Sequence, residues 1–302
     1  MSVRAARVEP LEPQRRSVRR LKLKPSSVLI ALFLFVLSMY FLAPLYWLIV
    51  SSTKTLEDLF GTPGLWVGKT LNFGQNLERL FTYNGGIYLR WLGNTFLYAG
   101  VSAVVATGVA TLGGYALAKF RFRGRNLAFS LILGSILVPN TALVLPLYLL
   151  MSRLGLTDTA WAVLLPSFVS PFGVYLARVY SASAVPDELL DAARVDGSSE
   201  LRTFLTVVLP VLAPALVTIF MFQFVAVWNN FFLPLVMLSS ETNFPVTVGL
   251  QTWNVGIPSG AQPVLINLIV TGSFVAVVPL LAGFLLLQRY WAGGLTLGSV
   301  KG

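Results

Sequence analysis

The sequence predicts an all-α, polytopic membrane protein with six transmembrane helices and both termini in the cytoplasm. Three observations carry that expectation. Of the 302 residues, 56% are hydrophobic and 11% charged, whereas a soluble domain carries about 25% charged residues. The apolar residues gather in runs long enough to cross a hydrocarbon layer, which takes about 20 residues of helix. The basic residues cluster in two places two spans apart, the parity expected if positive charge stays on the cytoplasmic side.

The chain has no cysteine and no histidine. Disulfides, cysteine nucleophiles and cysteine- or histidine-ligated zinc or haem are therefore excluded, and no metal site is expected. The net charge of +10 lies mostly in those two basic clusters. It serves membrane orientation rather than nucleic-acid binding.

Residues 1–27 form a basic tail with Arg4, Arg7, Arg15, Arg16, Arg19, Arg20, Lys22 and Lys24. The span at 28–50 is longer than the core of a signal peptide and runs into Pro44-Leu45-Tyr46-Trp47, so it is expected to be retained. Residues 51–90 are a polar, nearly charge-balanced external connection, with short surface helices expected in it. The second span, 91–118, carries Gly100, Ala103, Thr107, Ala110 and Gly114 at three- and four-residue spacing. Small residues so spaced let two membrane helices pack closely, and a neighbour within this chain is expected. Lys119, Arg121, Arg123 and Arg125 then form the second basic cluster.

The third span (127–151) contains Pro139 and Pro146, and the fourth (160–180) contains Pro166 and Pro171. Such breaks persist where neighbours satisfy the freed carbonyls. A short external loop, 153–158, joins the two. The apolar run 204–238 is too long for one crossing, and Pro210 and Pro214 are expected to separate an interfacial segment from the fifth span. The loop at 239–262, with Trp253 and Pro258, is read as external. The sixth span covers 264–288, and Arg289 and Lys301 keep the tail 289–302 inside. Residues 28–288 thus make one transmembrane domain, with an acidic cytoplasmic loop at 181–210.

In that loop, Pro186 suits the first helical position, Asp187 and Glu188 complement the positive end of the dipole, and Gly197 suits the stop. A helix of about three turns is expected, with Leu189, Ala192, Ala193 and Asp196 on one face. A face so small lets another protein approach the backbone closely. An acidic surface helix that merely joins two spans, with alanines for propensity, is the competing reading.

The sequence has no GxxxxGK[ST] loop, so the chain is not expected to bind ATP or another cofactor itself. It has no serine–histidine or cysteine–histidine pair, and its acids lie outside the spans. Span interiors with almost no ionisable group point to an external energy source and a neutral or weakly charged solute. Asn94, Asn140, Gln223, Asn229, Asn230 and Asn267 supply amides there, near Tyr148, Phe224, Trp228 and Phe231. Amides beside rings suit sugars, and equally they bond across helices. Gln223, Trp228, Asn229 and Asn230 are the candidate substrate path.

The triplet Asp191-Ala192-Ala193, then Gly197, then Leu209-Pro210 resembles the coupling loop of ABC-importer permeases. Aspartate stands where that pattern has glutamate, keeping the charge on a shorter stem. The likeness extends to 114–124, to Pro146-Leu147-Tyr148 with 154–159, to Trp228-Asn229-Asn230-Phe231, and to 294–302. Together these segments resemble the maltose-permease type of carbohydrate importer. That resemblance implies a type I importer permease fold in the bacterial plasma membrane. It implies import of a sugar or oligosaccharide with a second related permease, two copies of a cytoplasmic ATPase that binds the ATP, and an extracytoplasmic sugar-binding protein. It assigns coupling to Glu188, Leu189, Asp191, Ala192, Ala193, Asp196 and Gly197. The rival readings are another import branch, for glycerol phosphate or a different polar solute, and an integral-membrane enzyme acting on lipid-linked sugar.

Overall fold

A computed structural model describes the backbone of residues 25–256 and 264–295, with side chains over 28–256 and 264–288. The basic tail 1–27, Pro258 and the tail 289–302 with Arg289 and Lys301 otherwise lie outside the described residues. Among the described residues every regular element is helical. In chain order these are α1 (Pro25–Ser52), α2 (Leu56–Gly61), α3 (Phe73–Thr82), α4 (Ile87–Lys119), α5 (Arg125–Ile136) and α6 (Asn140–Arg153). Then follow α7 (Ala160–Ser167), α8 (Pro171–Ala184), α9 (Asp187–Val195), α10 (Glu200–Thr203), α11 (Leu209–Val211) and α12 (Ala213–Trp228). The series closes with α13 (Phe232–Met237), α14 (Val246–Gly256) and α15 (Val264–Leu295). Among the described residues four helical stretches, the second running through α3 and α4 and the third through α7 and α8, are long and apolar enough to cross a membrane, or up to six if each of two bent pairs is one span.

The chain divides into two units between Tyr46 and Trp47. The first holds most of α1, whose side chains from 28 to 44 are all exposed and mainly apolar, a surface suited to lipid rather than water. In the second unit, the connection after α1 is a buried polar knot. Lys54 is fully buried and its ammonium donates to the Pro63 carbonyl at 2.9 Å. The Asn76 amide donates to the carbonyls of Ser52 and Lys54, each at 2.9 Å, and Asn267 of α15 donates to Lys54 at 3.0 Å. The expected surface helices are present as α2 and α3, tied down at this knot.

The hub of the larger unit is α4, which packs on α8 and α12. A Cβ on Gly114 would lie 2.4 Å from the Ala177 Cβ and 2.6 Å from the Arg178 backbone nitrogen, so only glycine lets these helices touch there. Ala110 of the same stripe joins Ala177 and Ile219 of α12 in one buried cluster. The neighbour of the small-residue stripe therefore lies within this chain. Gly100, at the other end of the stripe, has nothing within 4 Å of a built Cβ.

Prolines mark the bends. Helices α5 and α6 meet at 102°, with Pro139 capping α6 and Pro146 accommodated inside it. Pro171 opens α8, where Ser170 caps by accepting the Gly173 N–H at 3.2 Å. Pro171 has no N–H to offer the Ser167 carbonyl one turn earlier. That carbonyl instead accepts the Gln223 amide of α12 at 2.8 Å. Ahead of Pro210 the chain widens into a π turn, Phe204–Val208, with the Leu209 N–H bonded to Phe204. The segment 200–211 then meets α12 at 80°, which is the separation expected from Pro210 and Pro214.

Gly114→Val should destabilise the protein by about 1–3 kcal/mol through overpacking. Gly100→Val, which fills open space, should be near neutral. Thermal unfolding of both variants in lipid nanodiscs checks this; equal effects would show that the α4–α8 contact is not tight.

Candidate functional site

The loop that the sequence singles out folds as α9. Pro186 stands at the N-cap with φ −65° and ψ 145°, one position earlier than expected, because its backbone is still extended. Asp187 and Glu188 occupy the first turn, and the helix spans 9 residues, somewhat less than the three turns expected. Gly197 adopts φ +75°, a left-handed conformation that glycine accepts without a Cβ penalty. Its N–H bonds to Arg194 and that of Ser198 to Ala193, each at 3.0 Å, which together form a Schellman stop.

Leu190 holds this helix against the bundle. It is 3% exposed, in a cluster with Tyr115, Val185, Phe204, Val208 and Leu212. Around it, Lys119 donates to Asp187 at 2.6 Å, and Arg194 bridges Asp191 at 3.1 Å and Glu200 at 3.0 Å. The hydrogen bond and charge of Lys119 hold the Asp187 carboxyl below its ordinary range. Burying a leucine contributes about 1.5–3 kcal/mol, whereas ion pairs with a partner open to solvent are screened and contribute less. Leu190 therefore fixes the position of α9, and the ion pairs trim its orientation.

The opposite face is open. Leu189, Ala192 and Asp196 are exposed and Ala193 is half-buried. Val195 is 87% exposed, more than any other large apolar side chain described. Glu188 is exposed beside them, while Asp191 is engaged by Arg194. Sequence reading missed Leu190, Val195, Lys119 and Arg194. The three-residue spacing of Asp191 and Arg194 was a usable signal. Nothing local marks Lys119 as the partner of Asp187, 68 residues away.

Of the candidate path residues, Gln223 is occupied at the Ser167 carbonyl. Trp228 is 3% exposed, edge-on to Phe96 at 4.8 Å and tilted against Phe224 at 5.4 Å. Asn229 is exposed and donates to Val225 of its own helix at 2.9 Å. Asn230 accepts the Leu233 N–H at 3.4 Å, and its carbonyl accepts the Thr247 hydroxyl at 2.9 Å. Asn94 likewise donates to the carbonyls of Thr242 and Phe244. The structure also places one ionisable group that sequence reading passed over within the fourth span: Arg178, half-buried, with its guanidinium 3.6 Å from the Phe129 ring centroid.

At the end of the bundle away from α9, Asp158 ties the 154–159 turn to the loop after α13. Its carboxylate accepts the backbone N–H groups of Ser239 at 2.9 Å and Ser240 at 2.8 Å, and the Ser240 hydroxyl. Its carbonyl accepts the Asn243 amide at 2.7 Å. These donors, the Ser240 hydroxyl foremost, hold its pKa down from 3.8 to about 2. The folded-state value is depressed, so the stabilisation is full above the ordinary value and is lost as pH falls through about 2.

Two predictions follow from these contacts. Leu190→Ala should raise hydrogen exchange across 187–197 far more than Lys119→Ala does; the reverse order would make the ion pair the anchor. Thermal stability of the wild type should fall between pH 4 and 2 more steeply than that of Asp158→Asn, and parallel curves would count against the Asp158 tie.

Residues 110–289 match the family model described as the binding-protein-dependent transport system inner membrane component. The chain is 37% identical to the arabinooligosaccharides transport system permease protein AraQ of Halalkalibacterium halodurans, over 86% of this chain and 91% of that protein. It is 30% identical to the lactose transport system permease protein LacG of Rhizobium radiobacter, over 85% of this chain and 90% of that one. In fold it is similar to a chain of a bacterial ABC transporter involved in alginate import, with a TM-score of 0.77 at 23% identity, over 88% of this chain and 96% of that chain. The protein therefore belongs to the family of inner-membrane components of binding-protein-dependent transport systems, as a permease subunit of an ABC importer rather than an enzyme.

Proposed function

We infer that this chain is one of two related permease subunits of an ATP-driven importer that brings a sugar or oligosaccharide into the cytoplasm. The names of its relatives, which carry arabinooligosaccharides and lactose, support the solute class. The observation that carries the coupling role is the free face of α9, a short helix held from behind by Leu190. Leu189, Ala192 and Val195 give that face an apolar centre, and Glu188 and Asp196 flank it with carboxylates. Such a face suits a cleft in one of two partner ATPases, which bind and hydrolyse the ATP. Asp191 acts by holding Arg194, the Ala193 carbonyl accepts the Ser198 N–H, and Gly197 sets the length of the helix.

The end carrying Lys119, Arg121, Arg123, Arg125 and α9 is cytoplasmic in this reading, by the retention of positive charge. The end carrying Asp158 and Glu241 then receives solute from the extracytoplasmic binding protein. Rotation of the ATPase, applied at α9, passes to α4 and α8, and alternate opening of the two ends moves the solute.

The test is uptake of labelled monosaccharides, disaccharides and short oligosaccharides by cells lacking the chain and cells supplied with it. Wild type should restore uptake of at least one. Gly197→Pro, which cannot adopt the left-handed backbone, and Ala192→Trp, which fills the docking face, should reach the membrane and abolish uptake. Normal uptake by both variants, or none by wild type, would contradict the reading.

A further inference from the structure

Between α14 and α15 lies an open cleft of about 430 Å³, inside the range of about 300–1,000 Å³ typical of small-ligand sites. Thr247, Gln251 and Asn254 line it from α14, at four- and three-residue spacing that places them on one helix face. Ile269 and Ser273 of α15 line it too, four residues apart, and Phe231 adds an aromatic ring. No ionisable side chain takes part in the lining.

These amides differ from those named in the spans, Asn140 excepted, whose side chain makes no hydrogen bond among the described residues either. Asn94, Gln223, Asn229 and Asn267 each donate to a backbone carbonyl, and Asn230 accepts a backbone N–H. The side chains of Gln251, Asn254 and Ser273 make no hydrogen bond among the described residues. Thr247 donates to the Asn230 carbonyl, which joins the cleft to the segment that the sequence nominated as the path.

We propose that this cleft is a carbohydrate subsite on the wall of this subunit, an inference that rests on the sugar-import reading. Each amide offers a donor and an acceptor, the pair that vicinal hydroxyls require. Phe231 offers a face to the C–H side of a pyranose or furanose ring. A phosphorylated or carboxylated solute would lose water here and meet no counter-charge, so the cleft selects neutral saccharides. The path residues on this subunit are Gln251 and Asn254, while Gln223 is held at the Ser167 carbonyl and Trp228 packs against Phe96 and Phe224.

The experiment uses the complete transporter with its binding protein in liposomes, starting from labelled maltose, lactose and arabinobiose. Gln251→Leu/Asn254→Leu should lower uptake efficiency by about tenfold or more, the loss expected of two or more hydrogen bonds. Binding-protein-stimulated ATP hydrolysis should persist, and Gln251→Asn should recover most of the uptake lost in Gln251→Leu. Unchanged uptake in the double variant would overturn the subsite. So would loss of the second permease from the purified complex, which would make these amides interface contacts. If wild type carries none of these or the other saccharides of the uptake panel, the sugar reading itself fails and the subsite falls with it.

Discussion

The arrangement depends on one close approach, that of Gly114 to the backbone at Ala177 and Arg178. In lipid no water is expelled when helices meet, so packing itself must hold them, and a glycine facing bare backbone gives the closest packing available. The next residue, Tyr115, lies in the cluster that receives Leu190. Helix α9 follows α8 after only Val185 and Pro186, and Val185 is buried in the same cluster. The contact that joins two spans is thus continuous with the one that seats the docking helix. A push on α9 has little slack to take up before it reaches α4 and α8.

A second constraint shapes the polar groups. A carbonyl freed by proline inside hydrocarbon costs several kcal/mol if left unpaired. A hydrogen bond between membrane helices returns only about 0.6–2 kcal/mol net. Avoiding the penalty is the larger effect, which accounts for the Gln223 amide at Ser167 and for the π turn ahead of Pro210. The same reasoning sets Asn94, Gln223 and Asn267, whose amides end on backbone carbonyls of other segments, apart from Gln251 and Asn254, whose amides do not.

The spans, their proline breaks, the small-residue stripe and the limits of α9 were legible in the sequence because each is local: apolar length, ring chemistry, periodicity, a left-handed glycine. The spacing placed Leu189 on the open face, but Leu190 was not legible as the anchor, since a helix of 9 residues has too few turns for periodicity to show what its other face packs against. The Lys119–Asp187 and Asp158–Ser240 contacts join segments 68 and 82 residues apart, and no spacing rule reaches that far. Gln223 illustrates the same limit from the other side. Its residue type and span marked it as polar in lipid, but only the position of Ser167 across the gap shows what the amide holds.

The most direct measurement concerns the rigidity of the link between α9 and α4. The native chain has no cysteine, so spin labels can be placed at Leu112→Cys on the exposed side of α4 and at Asp191→Cys on α9. The exposed bond of Asp191 to Arg194 contributes little, so its loss should leave the fold intact. Distances measured in the complete transporter with and without ATP should give the same narrow distribution, because the two helices move as one body. A shift approaching one helical turn, about 5 Å, or a broad distribution in either state, would contradict that and detach the docking helix from the spans it is held to drive.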